Sequence, residues 1–557
     1  MLKPIYNNEG GKYLKNKKES FFSGVFALII SQILIKIIGL AYKLYLTNRE
    51  GFGDSGNAIY SSGFQIYALL LTFSSTGVPN AIAKLVSERV AIGDNRGAHR
   101  IFKISFFLFS IIGAVGTVLL FMYARLIATK WIEIPEAEQS LVALSPSIFF
   151  VSIISVFRGY FNGLQKFSAT AKSQSIEQLI KTFATIILVE VIVLICGINT
   201  SLMAAGANLA TSVATVISFM YIYLYYIRKK NEIAQDIKSS TNYVPTRVRK
   251  TIKKIISVAF PISLCSLMSS FSRNIDSFTV VRFLKDFMDE SFAKKQYGIL
   301  SGKIDTLCVL PLSINVAIVT TLVPNISKAM AKGKFEEVRN KSRIFLLFSL
   351  VIGIPVTVGM MIFSEQILEL LFPNAYEGAE LLRLGSISIL FMLILQTINA
   401  ILQGIGEVKV PSIALGVGTI LKLICNLSLI RIPQIGVKGA IIGNIMCNGI
   451  ATLIGYIIMT KKIDFKLSFI NSLFKPIIAT ICMGFSSYLA YSYLKGILFS
   501  KMATILSLGV AIIIYIICVI MLRIFKKNDI KVLWKNKTKN YFTKKEGFYR
   551  RLANILN

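Results

Sequence analysis

The sequence predicts an all-α polytopic membrane protein, and three observations support this fold class. Of the 557 residues, 54% are hydrophobic and the mean hydropathy is +0.64, whereas soluble globular chains contain about 45–50% apolar residues. Apolar stretches long enough for a helix to cross about 30 Å of hydrocarbon recur along the whole chain. Lysine and arginine concentrate in alternate connections between these stretches, as the topology of a membrane protein requires.

Fourteen stretches have the length and apolar character of a transmembrane helix. The first follows a basic N-terminus, but no signal-peptide cleavage pattern follows it, so it is predicted to be a membrane span. Boundaries taken from the hydropathy pattern place the fourteen spans at 21–46, 57–86, 101–123, 141–165, 173–196, 202–227, 255–283, 298–322, 344–363, 381–402, 411–430, 439–460, 476–494 and 503–525.

The basic residues predict an orientation in the membrane. They are densest in Lys12–Lys18, Arg228–Lys254 and Lys526–Arg551, which the positive-inside rule assigns to the cytoplasm. We therefore expect a multi-pass protein of the plasma (inner) membrane with both termini cytoplasmic. The same segments are expected to attract anionic lipid headgroups. A nucleic-acid partner is not expected, because no aromatic–basic interleaving or known binding fold accompanies the charge.

Residues for catalysis or cofactor binding are scarce. His99 is the single histidine, and the seven cysteines are spread through apolar runs without a Cys-x-x-Cys pair, so neither a metal site nor a disulfide framework is predicted. The chain contains no Gly-Lys-[Ser/Thr] motif for a nucleotide phosphate and no Asp-x-Asp motif. These observations favour a transporter without its own ATP hydrolysis over an enzyme, with no cofactor.

Charges inside the predicted spans are mostly basic. A charge at the bilayer centre costs about 3 kcal/mol or more, so such residues normally face a wet or protein-lined interior. Lys36, Lys181, Arg273 and Lys422 lie deepest, and Lys43 and Lys303 lie toward outer ends. The four acids are too few to neutralise the bases, so the sequence predicts a cationic interior and an anionic cargo. The basic residues are Lys36, Lys43, Lys84, Lys103, Arg158, Lys181, Arg273, Arg282, Lys303, Arg383, Lys422 and Arg523; the acids are Glu177, Glu190, Asp276 and Asp305.

Two of these charges have a possible partner within their own helix. Glu177 and Lys181 are separated by four residues, and Arg273 and Asp276 by three. At either spacing the side chains are neighbours on a helix and can neutralise each other. The sequence leaves open whether these charges form structural pairs or bind a substrate.

The chain also contains an internal repeat. Val78-Pro79-Asn80 recurs as Val323-Pro324-Asn325, Asn162-Gly163-Leu164 recurs as Gln403-Gly404-Ile405, and Lys181 has its counterpart in Lys422. Six spans separate the equivalents, an even number, so the halves have the same orientation. We predict two parallel six-helix lobes plus two C-terminal helices. The predicted segments are a cytoplasmic tail 1–20, an N-lobe 21–227, a linker 228–254, a C-lobe 255–460, two further helices 461–525 and a cytoplasmic tail 526–557.

The second predicted span contains a helix-breaking segment at Ser74–Pro79. Glycine and proline there allow two interpretations: a kink whose freed carbonyls are satisfied by neighbouring helices, or a hinge for a conformational change. Gly77 and Pro79 are the candidate hinge residues.

Three local sequences resemble one transporter group. They are Lys36–Lys43 (KIIGLAYK), Gly77–Glu88 (GVPNAIAKLVSE), and Arg158–Gln165 (RGYFNGLQ) followed by Ser173–Gln178 (SQSIEQ). Together with two parallel six-span halves and two extra spans, they resemble the multidrug/oligosaccharidyl-lipid/polysaccharide superfamily, in particular its bacterial polysaccharide-transporter branch of MurJ-type lipid II flippases. The resemblance covers about residues 20–525.

The resemblance implies a central cavity with basic residues on the first, second and seventh or eighth spans. Lys36 matches a first-span basic position before Gly39; the second such position is Tyr42, with Lys43 beside it. Arg273 and Asp276 resemble the charged segment of the seventh span. Lys181, Lys303 and Lys422 complete the candidate substrate-binding set, and the two extra spans would form a groove for a polyprenyl tail.

The implied function is export of a polyprenyl-pyrophosphate-linked saccharide by alternating access, by a monomer and for cell-envelope biogenesis. Basic side chains at graded depth offer a pyrophosphate successive charge-assisted hydrogen bonds. Coupling to the membrane potential or to Na⁺ or H⁺ is expected to drive it. The alternatives are a multidrug/cation antiporter on the same fold, which needs buried carboxylates, a membrane glycosyltransferase, and a scaffold without transport activity.

Overall fold

The computed structural model describes residues 34–72, 77–240, 243, 247–313, 315, 322–323, 326–327, 329–330, 333–464 and 473–525. All regular secondary structure within these ranges is helical. In chain order the helices are α1 (34–48), α2 (Gly53–Thr72), α3 (Val78–Ala91), α4 (Asn95–Leu126), α5 (Ala137–Gly163), α6 (Phe167–Cys196), α7 (Thr200–Arg228), α8 (Lys230–Lys238), α9 (Val248–Leu284), α10 (Glu290–Gly298), α11 (Asp305–Val309), α12 (Phe335–Ile362), α13 (Ser364–Leu371), α14 (Ala379–Gly404), α15 (Val410–Leu429), α16 (Lys438–Ile463), α17 (Lys475–Lys495) and α18 (Ser500–Met521).

Ten of the described helices are long and apolar enough to cross a membrane. They correspond to the predicted third to sixth and ninth to fourteenth spans, which confirms an all-helical, multi-pass membrane protein. The predicted first, second, seventh and eighth spans fall on α1, on α2 with α3, on α9, and on the segment from α10 onward. These four are not among the ten, so the total of fourteen stays a prediction.

The ten membrane-spanning helices begin before the apolar stretches that predicted them. The third span was expected from residue 101, but α4 begins at Asn95. Asp94 precedes it, and its carboxylate Oδ1 accepts a hydrogen bond from the Gly97 backbone N–H at 2.7 Å. Such a cap satisfies one of the amides that a helix leaves without a partner in its first turn. Hydropathy detects the part of a helix inside hydrocarbon, whereas capping determines where the helix begins.

The chain forms two compact units, divided between Gly302 and Lys303. In the first unit α4 packs on α5, α5 on α7, and α6 on α7. In the second unit the same pattern joins α12 to α14, α14 to α16, and α15 to α16. The equivalent helices of the predicted repeat therefore pack in the same way within each unit.

Glycines at repeated positions have the same role in both units. A Cβ on Gly163, at the end of α5, would lie 2.7 Å from the Val86 side chain of α3. A Cβ on Gly404, at the end of α14, would lie 2.8 Å from the Ile326 side chain. Both distances are shorter than a normal carbon–carbon contact of about 3.5–4.0 Å. The repeated Asn-Gly and Gln-Gly sequences thus mark a close approach of two helices that only glycine permits.

Helix α9 belongs to the first unit. Its Ser270 hydroxyl lies 2.6 Å from the Thr72 hydroxyl of α2, and its Asn274 side-chain amide donates to the Gln65 carbonyl at 3.1 Å. The predicted linker 228–254 contains α8 and the start of α9. The boundary between the compact units therefore lies after α9 and α10, while the division into two six-helix lobes stays a prediction.

Several ion pairs lie at one end of the first unit. Arg282 pairs with Glu133 at 3.0 Å, and Lys294 pairs with Glu136 at 2.7 Å and with Glu290 at 2.9 Å. The Lys294 ammonium, and after it that of Lys285, holds the pKa of the Glu290 carboxyl below its usual value. All of these residues are at or next to connections predicted to be extracytoplasmic.

The opposite end of the first unit carries the Lys254–Glu88 pair at 3.1 Å. Both residues lie next to connections that the positive-inside rule assigns to the cytoplasm. Connections of the same predicted sidedness therefore lie together in this unit.

Candidate substrate site

Two candidate lysines project from the same side of α1. Lys36 and Lys43 are seven residues apart, close to two helical turns, which separates them by about 10.5 Å along the helix axis. Lys36 is exposed, whereas Lys43 is only 9% exposed. An exposed ammonium on a helix at this position of the predicted first span requires a water-accessible surface, because contact with hydrocarbon is costly.

Lys43 packs against α2. Its ammonium donates to the Ser61 hydroxyl at 3.4 Å and lies 5.0 Å from the centroid of the Tyr60 ring. The Tyr60 hydroxyl lies 3.3 Å from the Tyr42 hydroxyl. The lysine therefore lies over the Tyr60 ring, whose π-face attracts a cation.

Lys181 reaches the same region from α6. Its ammonium is 4.2 Å from the Phe64 ring centroid and 5.2 Å from that of Tyr42, and the residue is only 7% exposed. Within the described ranges no carboxylate lies within 4 Å of this ammonium. We call Tyr42, Tyr60 and Phe64 the aromatic cluster. It brings Lys43 and Lys181 together through cation–π contacts.

Glu177 does not pair with Lys181 in this structure. Its carboxylate lies 2.6 Å from Arg158 Nη2, and the same guanidinium contacts the Ser173 and Ser218 hydroxyls at 2.9 and 3.2 Å. The pair joins α5 to α6, and the serines extend it to α7. Of the two interpretations that the sequence left open, the ion pair of Glu177 is structural, but its partner is Arg158.

Glu190 is also neutralised by an arginine. Both of its carboxylate oxygens accept hydrogen bonds from Arg49, at 2.8 and 2.9 Å, and the Tyr45 hydroxyl donates to the same carboxylate. This bidentate geometry is the strong form of a carboxylate–arginine contact. Two of the four predicted intramembrane acids therefore already have an arginine partner.

Arg273 of α9 is exposed and lies within electrostatic range of Lys36. Its guanidinium donates to the Ser270 hydroxyl at 3.1 Å, which in turn contacts Thr72. Asp276, almost one turn further along α9, is only 3% exposed. The first unit thus presents two exposed cations, on α1 and α9, whose charges act on each other.

The remaining candidates, Lys303 and Lys422, lie in the second unit and are both fully buried. The Lys303 ammonium donates to the carbonyls of Ala375 and Glu377, both at 2.7 Å. Lys422 lies on α15 against α16, where a Cβ on Gly443 would be 3.3 Å from the lysine Cγ. The contacts of Lys303 hold the segment before α14, which is a structural role.

Gly77 and Pro79 lie where α3 begins. Gly77 has φ −69° and ψ −44°, a conformation open to any residue. A Cβ there would lie 1.7 Å from the Ser263 hydroxyl and 2.9 Å from the Ala259 carbonyl of α9. Pro79 stands in the first turn of α3, where no N–H partner is required. Ser74, Ser75 and Thr76 lie outside the described residues, and the hinge stays a prediction.

Replacing Gly77 with alanine is expected to destabilise the protein by about 1–3 kcal/mol, the usual cost of adding a methyl group to a filled contact. The added carbon would push α9 away from α3, because the nearest atoms include backbone of α9. Unfolding temperature in detergent measures the effect. Gly509→Ala on α18 is the matched control, since nothing lies within 4 Å of its added Cβ. Equal unfolding temperatures for both variants would contradict the close contact.

Sequence reasoning missed the aromatic cluster and the role of Arg158. The aromatic residues Tyr60, Phe64 and Tyr67 recur at helical spacing on one side of α2, a pattern that equally fits an ordinary hydrophobic core. Arg158 lies near the end of its predicted span, where a basic side chain can reach water by snorkelling. Neither the helical spacing of the aromatic residues nor the position of Arg158 could show which other helix supplies the residues that they contact.

Comparison with known proteins places the chain in a family. The model of the polysaccharide biosynthesis protein family matches residues 21–330, and a second family model, MatE, matches residues 261–427. Stage V sporulation protein B of Bacillus subtilis (strain 168) is 23% identical over 92% of this chain and 98% of its own length. Lipid II flippase MurJ of the same organism is 24% identical over 79% of this chain and 82% of its own.

Among solved structures, an inward-facing multidrug resistance MATE family transporter of the MOP superfamily has a similar fold. Its TM-score is 0.65 at 17% identity, with 78% of this chain and 98% of that chain covered. This likeness concerns the fold alone. With a family model matching more than half of its length, the chain belongs to the polysaccharide biosynthesis protein family.

Proposed function

We propose that this protein is a flippase that exports a polyprenyl-pyrophosphate-linked saccharide across the plasma membrane for cell-envelope biogenesis. The observation that supports this most strongly is the balance of accessible charge in the first unit. Lys36 and Arg273 are exposed and their charges act on each other, and the carboxylates of Glu177 and Glu190 are paired with Arg158 and Arg49. Such a surface attracts an anion.

The chemistry of a lipid-linked saccharide matches this arrangement. Its pyrophosphate accepts charge-assisted hydrogen bonds, which are roughly twice as strong as neutral ones. Lys36 and Arg273 would bind the pyrophosphate first, and Lys43 and Lys181, held at the aromatic cluster, are the next cations available. The relative from Bacillus subtilis that is named lipid II flippase MurJ supports this substrate class.

The transport energy in this proposal comes from the membrane, and the protein acts as a monomer by alternating access. An inside-negative potential favours outward movement of an anion by about 2.3 kcal/mol per charge per 100 mV. Coupling to Na⁺ or H⁺ would add to or replace that contribution. No cofactor is required by the proposal.

A multidrug/cation antiporter is the second candidate, and the MATE transporter fold favours it. An antiporter needs carboxylates to bind a cationic drug or a coupling ion. Asp276 is the best placed, because it is buried on α9 next to the accessible Arg273. Charge substitutions distinguish the two functions, since an anionic cargo depends on Lys36 and Arg273 and a cationic one on Asp276.

Purified protein in liposomes is expected to translocate a polyprenyl-pyrophosphate-linked saccharide without added nucleotide. In the proposed mechanism the energy for transport comes from the membrane and not from ATP hydrolysis. The sequence accordingly contains no phosphate-binding motif for ATP. The measurement is the fraction of fluorescent lipid-linked saccharide that becomes accessible to a reagent outside the liposomes. Empty liposomes are the control. A strict requirement for ATP with no partner protein present would refute the proposal.

Both termini are proposed to be cytoplasmic, because an even number of spans separates two lysine-rich tails. Cysteines introduced at positions 10 and 545 are expected to stay unlabelled by an impermeant reagent in intact cells and to react after permeabilisation. A cysteine introduced at position 286, in a connection predicted to be extracytoplasmic, is the positive control. Labelling of either terminus in intact cells would overturn this topology.

A further inference from the structure

A pocket of about 100 Å³ lies where α3 ends and where α4 and α9 begin. Four of its lining residues are basic, and we call these residues, Arg89, Arg100, Lys250 and Lys254, the basic pocket. About 10–15 Å³ suffices for one water molecule, so the volume accommodates a tetrahedral phosphate group. The pocket is separate from the candidate substrate site and lies at the end of the first unit that is predicted to be cytoplasmic.

The charge of the pocket remains positive after its internal pairs are counted. Arg89 is paired with the buried Asp94 at 2.9 Å, and Lys254 with Glu88 at 3.1 Å. Arg100 donates to the neutral Tyr243 hydroxyl at 2.8 Å. In the part of the chain that the structure describes, no carboxylate lies within 4 Å of Arg100 or Lys250. Two cations therefore face the pocket without a paired acid, as an anion site requires.

The surface below the pocket is apolar. Gly97, Arg100 and Ile101 lie on one face of α4, and Ile101 is buried. Ile104 and Leu108 continue that face partly buried, and Ile111, Val115 and Leu119 continue it exposed. These three apolar side chains are 49%, 53% and 49% exposed. The exposed part, from Ile111 to Leu119, is about 12 Å long and begins about 15 Å along the helix from Ile101. A cationic pocket above an exposed apolar face complements a molecule with an anionic head and a hydrocarbon tail.

We propose that the basic pocket binds the phosphate group of an anionic phospholipid of the cytoplasmic leaflet, with its acyl chains along the exposed face of α4. Basic pockets between membrane helices on the cytoplasmic side are a recurrent means of binding such headgroups. Arg100 and Lys250 hold the phosphate by charge-assisted hydrogen bonds. The site ties the ends of α3, α4 and α9 to the membrane surface.

The test compares two double variants of the full chain that remove the same charge. Arg100→Gln with Lys250→Gln removes the two cations of the pocket. Lys103→Gln with Lys253→Gln removes two exposed lysines from the same helices, each three residues further on and outside the pocket lining. Binding of phosphatidylglycerol to the purified protein in detergent is titrated by native mass spectrometry, with phosphatidylcholine as the uncharged reference.

The pocket variant is expected to bind phosphatidylglycerol about tenfold more weakly than the wild type, because two basic contacts to the headgroup are lost. The control variant is expected to bind within about twofold of the wild type. Equal weakening in both variants would overturn the proposal, since the attraction would then be diffuse. The unfolding temperatures of both double variants are measured. If the pocket variant unfolds at a lower temperature than the wild type, the single variant Lys250→Gln replaces it, because Lys250 is exposed.

Two further arms distinguish the sources of phosphate. Inorganic phosphate at the concentration of the lipid is expected to leave phosphatidylglycerol bound, because it lacks the contact with α4. Displacement by inorganic phosphate would assign the pocket to a soluble ion and overturn the lipid assignment. The second arm adds a polyprenyl pyrophosphate as competitor. If it displaces bound phosphatidylglycerol at a lower concentration than unlabelled phosphatidylglycerol does, the pocket is a docking point for the transport substrate, and the phospholipid assignment is overturned.

Discussion

Replacing Lys36 or Arg273 with glutamine is expected to lower transport of a lipid-linked saccharide about 10- to 100-fold. Each substitution removes one charge-assisted hydrogen bond to the pyrophosphate, which is worth about 1.5–3 kcal/mol, and about 1.4 kcal/mol corresponds to a tenfold change. Lys36 is exposed, so its substitution should change the free energy of unfolding by no more than about 0.5 kcal/mol. Arg273 also donates to the Ser270 hydroxyl, so its substitution should cost about 1 kcal/mol of stability. The measurement is the translocation rate in liposomes at equal amounts of folded protein.

Two control variants accompany this experiment. Lys103→Gln removes an exposed lysine of α4 that lies outside the candidate substrate site, and transport should continue. Glu190→Gln should reduce transport less than Lys36→Gln, because its carboxylate is occupied by Arg49 and Tyr45. Normal transport by Lys36→Gln and Arg273→Gln, with loss in Glu190→Gln or Asp276→Asn, would indicate a cationic cargo. The antiporter should then replace the flippase.

Replacing Lys303 with methionine is expected to destabilise the protein by about 3–5 kcal/mol. The ammonium is fully buried and donates to the carbonyls of Ala375 and Glu377. Methionine occupies a similar volume but donates nothing, so two carbonyls lose a charged donor, each contact being worth about 1.5–3 kcal/mol. Chemical unfolding in detergent measures the loss, and transport should fall only as far as the folded fraction falls.

Lys501→Met on α18 is the matched control, because that lysine is exposed, and its effect should stay within about 0.5 kcal/mol. Substitutions of Lys303 and Lys36 thus distinguish two roles of an intramembrane lysine. Replacing Lys303 should lower stability, and replacing Lys36 should lower transport. If Lys303→Met unfolds like the wild type and yet transports nothing, the structural role is wrong and Lys303 contacts the substrate.

Much of the fold follows from local sequence. Ten helices coincide with predicted apolar stretches because a helix must be long and apolar to cross hydrocarbon, and both properties can be counted along the chain. The repeat is also visible in the sequence. Gly163 and Gly404 occupy equivalent helix ends, and each permits a close helix contact. The excess of basic residues inside the predicted spans, on which the prediction of an anionic cargo rests, likewise needs only a count.

The tertiary structure alone decides which of these charges are available. Glu177 has Lys181 one turn away in its own helix, yet it pairs with Arg158 of another helix. Lys303 and Lys36 are both lysines of predicted spans, but one is fully buried against two carbonyls and the other is exposed. Hydropathy and helical period determine that a side chain lies in a membrane helix and on which of its faces. Which helix that face meets depends on packing between residues far apart in sequence, and this packing determines whether a cation stabilises the fold or is free to bind a substrate.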